Sequence, residues 1–414
     1  MPGTLRRVHL ALRVGAGAAA LLGACASPRP EPAPGASPPP PTKPAPLQYV
    51  VGGQVQFGTL YPPPGASPQS AEPSAEPSTK PPATQPLAQR PPPVQHPAVV
   101  LLHGGFFGDD STTDGMAREL SRRGVLAAFP AYRGEPRGLD GARSQGRIEF
   151  CEGEVRDALA LVRLLRARPD VDPRRIAVLG FSHGGCIGLR MLAEDPTLRA
   201  GVLFSPLSDA RNAVENMDQN PLQMLGFAGW LGARLRSYVS RDPRPRDEAW
   251  SARSPVLVAS TLRMPMVIVH GTSDPLIPLL QTCRLRDTLW KSGRPVRERL
   301  LTNAGLPSPA AVAQAAALAP AQSIEDPQAL AAQLPCGPLP PRPDPSAPAG
   351  PRPVSAPSAD PSAGADATDP AALAASPPAV AEFWYLTGQG HLLSQPCKQR
   401  VEAMALQALL TLLN

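Results

Sequence analysis

Gly180-Phe181-Ser182-His183-Gly184 places a serine between two glycines, where an apolar run meets a helical one. Arg175 to Leu179 reads as a buried strand, and Cys186 to Ala193 as a helix. A serine hydroxyl is a weak nucleophile until a base takes its proton. A sharp strand-to-helix turn suits that chemistry. It lifts the hydroxyl clear of the sheet, uses glycines where the backbone crowds itself, and aims helix N-terminal N–H groups at the same point. Ser182 is the candidate nucleophile.

The other parts of an acyl-transfer site follow from what an activated serine needs. A developing oxyanion needs N–H donors, and His103-Gly104-Gly105 supplies a glycine-rich turn at the end of an earlier strand. The expected donors are the N–H groups of Gly105 and His183, with Phe106 replacing Gly105 if the turn is shifted by one residue. The base emerges by elimination among six histidines. His9 lies in the N-terminal segment and His96 borders a proline-rich tract. His103 and His270 end strands beside glycines, where buried structural histidines are common. His183 adjoins the nucleophile and points the wrong way along the turn. His391, in a Gly-Gln-Gly-His loop, is left as the base. Asp274, in His270-Gly-Thr-Ser-Asp-Pro, follows a buried run and is the expected acid that orients the imidazole, with Asp209 in reserve.

Positioning these groups requires strands alternating with helices. Strand patterns cover Gln54–Tyr61, Ala98–His103, Val125–Phe129, Arg175–Leu179, Ala200–Phe204, Pro265–His270 and Glu382–Leu386. Helical patterns cover Met116–Arg123, Glu152–Arg168, Cys186–Ala193, Thr282–Lys291 and Gln399–Leu413. Alternation of this kind implies an α/β fold with a mainly parallel sheet and helices on both faces. The first two strands are expected to form a hairpin with a long loop. Residues 208–253 are expected to form a cap, and the substrate pocket to draw on 106–110, 133–150 and 208–253.

The motifs HGG, GFSHGG, HGTSDPLIP and the GQGH loop resemble the α/β-hydrolase catalytic domain of the prolyl oligopeptidase and dienelactone hydrolase families. The resemblance covers about 50–61, 95–302 and 381–413, and the order Ser, Asp, His is that of the α/β hydrolases. It implies cleavage of an ester or short peptide through an acyl-serine intermediate, with no cofactor. No β-propeller module precedes the domain in this sequence, which tips the expectation toward a carboxylesterase over a peptidase. The rival expectation is an inactive envelope protein that uses the fold for binding. In this fold the helix that starts near Cys151 flanks the one carrying Cys186, so a Cys151–Cys186 disulfide is expected. Cys283 and Cys397 follow the acid and base loops and are the second expected pair, with Cys336 left over or competing.

The remaining composition describes the setting. The chain has 414 residues, and its 57 prolines are nearly three times the usual share of about 5%. They concentrate in three Pro/Ala/Ser tracts whose composition cannot bury enough apolar surface to fold. The expected organisation is a signal segment at 1–24, a tether at 25–48, and a hydrolase domain at 49–414 with insertions near 62–93 and 303–380. Arg6, Arg7 and Arg13 precede an apolar stretch ending Leu22-Gly23-Ala24-Cys25, which resembles a bacterial lipobox with Cys25 as the lipidated residue. Export and a lipid anchor to a membrane are the expectation, with the tether reaching up to roughly 70 Å. Without those three arginines the net charge of +6 falls to +3. No basic run interleaved with aromatics speaks for nucleic acid, and no cysteine pair is spaced for a metal.

Overall fold

The structure is a computed structural model. It describes residues 43–66, 94–105, 111–135, 141–219, 226–302, 334–342 and 379–414. Cys25 and Phe106 lie outside the described residues, as do the expected signal segment and most of the two expected insertions.

Nine strands form one sheet: β1 (Ala45–Val51), β2 (Gln54–Tyr61), β3 (His96–Leu102), β4 (Leu126–Pro130), β5 (Val171–Phe181), β6 (Ala200–Phe204), β7 (Met266–Gly271), β8 (Val296–Leu301) and β9 (Ala381–Leu386). Their spatial order is β1-β2-β4-β3-β5-β6-β7-β9-β8. The β1/β2 and β2/β4 pairs are antiparallel, and every other pair is parallel. The α/β expectation thus describes the molecule.

Alternation along the central strands explains how the sheet is covered on both faces. Ala98, Val100 and Leu102 of β3 and Ile176 and Val178 of β5 enter one core, with Leu161, Leu165, Ile187 and Leu285 from helices on that face. Val99, Leu101, Ala177 and Leu179 point the other way, into a core closed by Met116, Leu120, Val401 and Leu409. The first face carries α2 (Gly153–Arg166), α3 (His183–Glu194) and α7 (Leu280–Lys291). The second carries α1 (Ser111–Arg122) and α8 (Gln395–Leu413). Between β6 and β7 the chain builds α4 (Ala210–Gln219), α5 (Phe227–Ser240) and α6 (Arg246–Ala252). These cap helices share a third core with Phe150, Leu207 and Ile277.

Three expectations are corrected. The 54–61 and 98–103 strands do not pair: β2 forms a hairpin with β1 through the two-residue turn Gly52-Gly53, and its other edge takes β4. Both hydrogen-bonding edges of β2 are therefore occupied. Residues 45–48, expected to belong to a tether, instead open strand β1, because alternation there buries Leu47 and Tyr49. Finally, Cys283 pairs with Cys336 and not with Cys397, which is a buried thiol at the start of α8.

That disulfide belongs to a docked segment within the 303–380 insertion. Arg286 on α7 donates to the carbonyls of Gly337 (2.8 Å) and Cys336 (3.0 Å). Trp290 Nε1 donates to Pro340 O at 2.8 Å, and the Arg342 guanidinium lies 3.9 Å over the Trp290 ring. Residues 334–342 are thus tied to the helix that follows the acid loop. The half-buried, charge-bearing β8 was not expected either. The chain leaves β8 at the sheet edge and returns as β9, between β8 and β7.

Candidate active site

The sheet reverses direction of growth at β3: β4 is added on one side of it and β5 on the other. Carboxyl ends of parallel strands open a crevice at such a switch point. Gly104 and Gly105 follow β3 there and Ser182 follows β5, and a Cβ on Gly104 would lie 3.3 Å from the Ser182 Cβ. The oxyanion turn and the nucleophile are neighbours.

Ser182 has φ 52° and ψ −110°, a conformation that costs an ordinary residue of order 1–3 kcal/mol. Surrounding bonds impose it. Ser182 N donates to Phe204 O (2.8 Å), and Ser182 O accepts from Cys186 N (3.1 Å). The two glycines of the motif are required by contact. A Cβ on Gly180 would stand 2.5 Å from Gly184 O, and one on Gly184 would stand 2.2 Å from Leu102 O.

Asp274 and His391 meet at the same edge of the sheet. Asp274 Oδ2 lies 2.7 Å from His391 Nδ1. Its Oδ1 accepts from the N–H groups of Leu276 and Ile277, both at 2.9 Å, so the turn after β7 fixes the carboxylate. Burial opposes ionisation of this carboxyl, but hydrogen bonds to His270 and His391 outweigh it and hold its pKa well below the usual carboxylate range. Close backbone approach makes the meeting possible: a Cβ on Gly271 would lie 2.3 Å from Gln389 O. Ser273 N donates to that oxygen at 2.9 Å, which clamps the base loop to the acid loop.

The other described histidines are committed elsewhere. His270 is buried: its Nε2 donates to Ile277 O (2.9 Å), so its Nδ1 accepts from the Thr282 hydroxyl (2.7 Å). That Nε2 also lies 3.5 Å from Asp274 Oδ2. His103, buried, stacks on Tyr132 at 4.1 Å and sets Nε2 3.0 Å from Glu135 Oε2. His96 Nδ1 contacts Gly124 O at 3.0 Å, far along β3 from its carboxyl end.

His183 does two things. Its main-chain N–H is the first of α3, at the helix end whose N–H groups face the nucleophile turn. Its ring is a cross-brace. Cys151 N–H donates to Nε2 (3.1 Å), so the ring proton sits on Nδ1 and is given to Gly105 O (3.0 Å). Burial lowers its pKa to about 4, which keeps the ring neutral. The Cys151–Cys186 disulfide closes the same assembly, bridging the start of α2 to the first turns of α3 with Cα atoms 5.9 Å apart.

A buried charge cluster that sequence reasoning missed shapes this region. Glu154 accepts from the N–H groups of Glu149, Phe150 and Glu152. It holds a loop in which Phe150 and Cys151 both take positive φ, 61° and 55°. Arg133 forms a two-pronged pair with Asp157, 2.8 Å on each arm. The only trace in the sequence is Arg133 and, further on, Glu154 and Asp157 on an otherwise amphipathic stretch. Asp209, the reserve acid, pairs with Arg284 at 2.8 Å.

Residues 113–306 match the Peptidase_S9 family, described as the prolyl oligopeptidase family. The match includes Ser182 and Asp274 and ends before His391. The chain is 24% identical over 211 residues to the uncharacterized peptidase YtmA of Bacillus subtilis, covering 51% of this chain and 76% of that one. It is 25% identical over 214 residues to the acylamino-acid-releasing enzyme of Sus scrofa, covering 50% of this chain and 28% of the pig enzyme. Among solved structures, a puromycin hydrolase aligns with 90% of this chain and 38% of its own at 18% identity and a TM-score of 0.48. The chain therefore spans most of the bacterial relative but only about a quarter of the pig enzyme. The expected preference for carboxylesters finds no support in these matches.

Proposed function

We propose that the chain, whose residues 113–306 match the prolyl oligopeptidase family, is a serine peptidase acting on short peptides. Ser182 attacks the scissile carbonyl. His391 takes the hydroxyl proton and returns it to the leaving amine. Asp274 holds His391 in the tautomer that presents Nε2 to Ser182 and stabilises the imidazolium. The N–H groups of His183 and Gly105 stabilise the oxyanion, and water releases the acyl group by the reverse sequence.

The observation that carries this reading is the Asp274–His391 hydrogen bond on the sheet edge where Ser182 is held at φ 52°. The named relatives, a peptidase and an acylamino-acid-releasing enzyme, support amide over ester substrates. A fluorophosphonate probe and a paired panel test it. Wild type is expected to take the label and to cleave acylated dipeptide arylamides, while Ser182→Ala does neither. Turnover of p-nitrophenyl esters without any arylamide cleavage overturns the peptidase reading. Folded wild type that takes no label overturns the hydrolase mechanism and returns the binding role.

The sequence around Cys25 supports an exported, lipid-anchored protein. Mass spectrometry of the mature N-terminus tests this, with a diacylglyceryl cysteine expected at position 25 and absent from Cys25→Ser. Among the described residues no helix is long and apolar enough to cross a membrane.

A further inference from the structure

Phe150 stacks on the His183 ring at 4.6 Å and lies parallel to the Tyr238 ring at 6.4 Å. Tyr238 borders a cleft of about 350 Å³ between the 147–153 loop and the end of α5. None of the chemistry above uses this cleft, and its charge is unbalanced.

Its three carboxylates are each held by two or more guanidinium groups. Glu149 pairs with Arg133 (2.5 Å) and Arg156 (3.2 Å). Glu152 pairs with Arg156 (3.5 Å), Arg244 (3.3 Å) and Arg190 (3.7 Å). Asp242 pairs with Arg244 and Arg253, both at 2.6 Å. Arg147 from the loop and Arg241 from the end of α5 also line the cleft, are exposed, and form no ion pair with a carboxylate among the described residues. A neighbouring cleft of about 450 Å³ shares Asp242 and Arg244 and adds Arg236 and Arg246, which extends the positive field.

The cleft is built, not merely charged. Arg253, 2% exposed, donates to Glu149 O (2.9 Å) and to Asp242, and so ties the loop to the cap. The same loop carries Cys151, whose N–H is fixed to His183 and whose sulfur is fixed to Cys186. A group bound here is therefore held at a set place relative to Ser182. Guanidinium forks match a carboxylate in shape and charge, and a concave basic surface concentrates anions.

We propose that this cleft is a subsite for a carboxylate of the substrate, engaged by Arg147 and Arg241, and that the protein prefers peptides with an acidic group near the scissile bond. This deepens the peptidase reading and rests on it. The carboxylate has two possible sources, an Asp or Glu side chain or a free C-terminus.

Four fluorogenic peptide series distinguish them: Glu-scanned with an amidated terminus, neutral with a free terminus, neutral and amidated, and Lys-scanned and amidated. Wild type is expected to favour one carboxylate-bearing series over the neutral amidated one by about fivefold in kcat/KM. The Arg147→Glu/Arg241→Glu double variant is expected to lose that preference and favour Lys, with kcat/KM on the neutral amidated series unchanged. Equal preference in wild type and variant overturns the proposal, as does an equal loss on all series by a folded variant. A second readout needs no peptide turnover: Ser182 labelling rates with glutamyl and lysyl phosphonate esters. Faster glutamyl labelling of wild type, reversed in the variant, supports the subsite even if every peptide is refused. Equal rates overturn it.

Discussion

Asp274 and His391 are 117 residues apart in sequence and 2.7 Å apart between Oδ2 and Nδ1. Parallel pairing of β7 with β9 brings their two loops to one edge, from Met266↔Ala381 through Gly271↔Leu386. The long excursion between them leaves from the edge strand β8 and returns as β9, its neighbour. Loop-closure cost grows slowly with length, so such an insertion is tolerated.

Replacing Asp274 with Asn keeps the side chain's size but offers His391 Nδ1 a donor where it now meets an acceptor. The imidazole then favours the wrong tautomer. Steady-state kinetics of Asp274→Asn are expected to show kcat falling by about a thousand- to ten-thousand-fold, with fluorophosphonate labelling slowed in parallel. Asp209→Asn is expected to leave both within about threefold of wild type, on the order of 0.6 kcal/mol in barrier.

His183 predicts an acid-sensitive fold. Its pKa is about 4 in the folded protein, below the unfolded value of about 6.5, because burial disfavours the charged ring. A lowered histidine pKa leaves stability complete above pH 6.5. As pH falls toward 4 the unfolded chain binds a proton that the native ring refuses, and stability drops by on the order of 3 kcal/mol. Thermal unfolding between pH 7 and 4 is expected to show this slope in wild type, and a His183→Gln variant is expected to lack most of it. An identical slope in the variant would place the effect elsewhere.

The Cys151–Cys186 disulfide closes a loop with a sequence separation of 35. Chain-entropy arguments assign such a crosslink about 3–4 kcal/mol. Its loss also frees the loop whose Cys151 N–H orients His183. The Cys151→Ser/Cys186→Ser variant is expected to unfold at lower denaturant by that amount, and to label Ser182 more slowly even when folded. Removing Cys283–Cys336, which ties 334–342 to α7, is expected to lower stability without changing the labelling rate.

Glycines in the nucleophile turn tolerate nothing larger. In Gly184→Ala the new methyl would stand 2.2 Å from Leu102 O, a backbone atom with no freedom to withdraw. The cost is expected at or above the upper end of the about 1–3 kcal/mol usual for overpacking. Circular dichroism and labelling are expected to fail together. Gly115→Ala, where a Cβ meets nothing within 4 Å, is the control that stays folded.

Much of this protein was legible before any coordinate. Local patterns decide local structure, so Gly180 to Gly184 announced the turn, and the apolar run at 98–102 announced a strand buried on both faces. Elimination among six histidines singled out His391: His9 lay in the N-terminal segment, His96 beside a proline-rich tract, and His103, His183 and His270 at strand ends or in the turn itself. What the sequence hid was pairing across distance. Strand β1 lay at the edge of a proline-rich tract, and only its seven-residue register with β2 makes it a strand. Cys283 had two candidate partners, Cys336 and Cys397, and only the docking of 334–342 on α7 chose Cys336. The cross-brace from Cys151 through His183 to Gly105, and the arginines around Tyr238, join segments far apart in the chain. Residue type and spacing state which chemistry is available. Which groups share a site depends on where non-adjacent strands and loops come to rest, and that is settled by burial and hydrogen bonding summed over the whole fold.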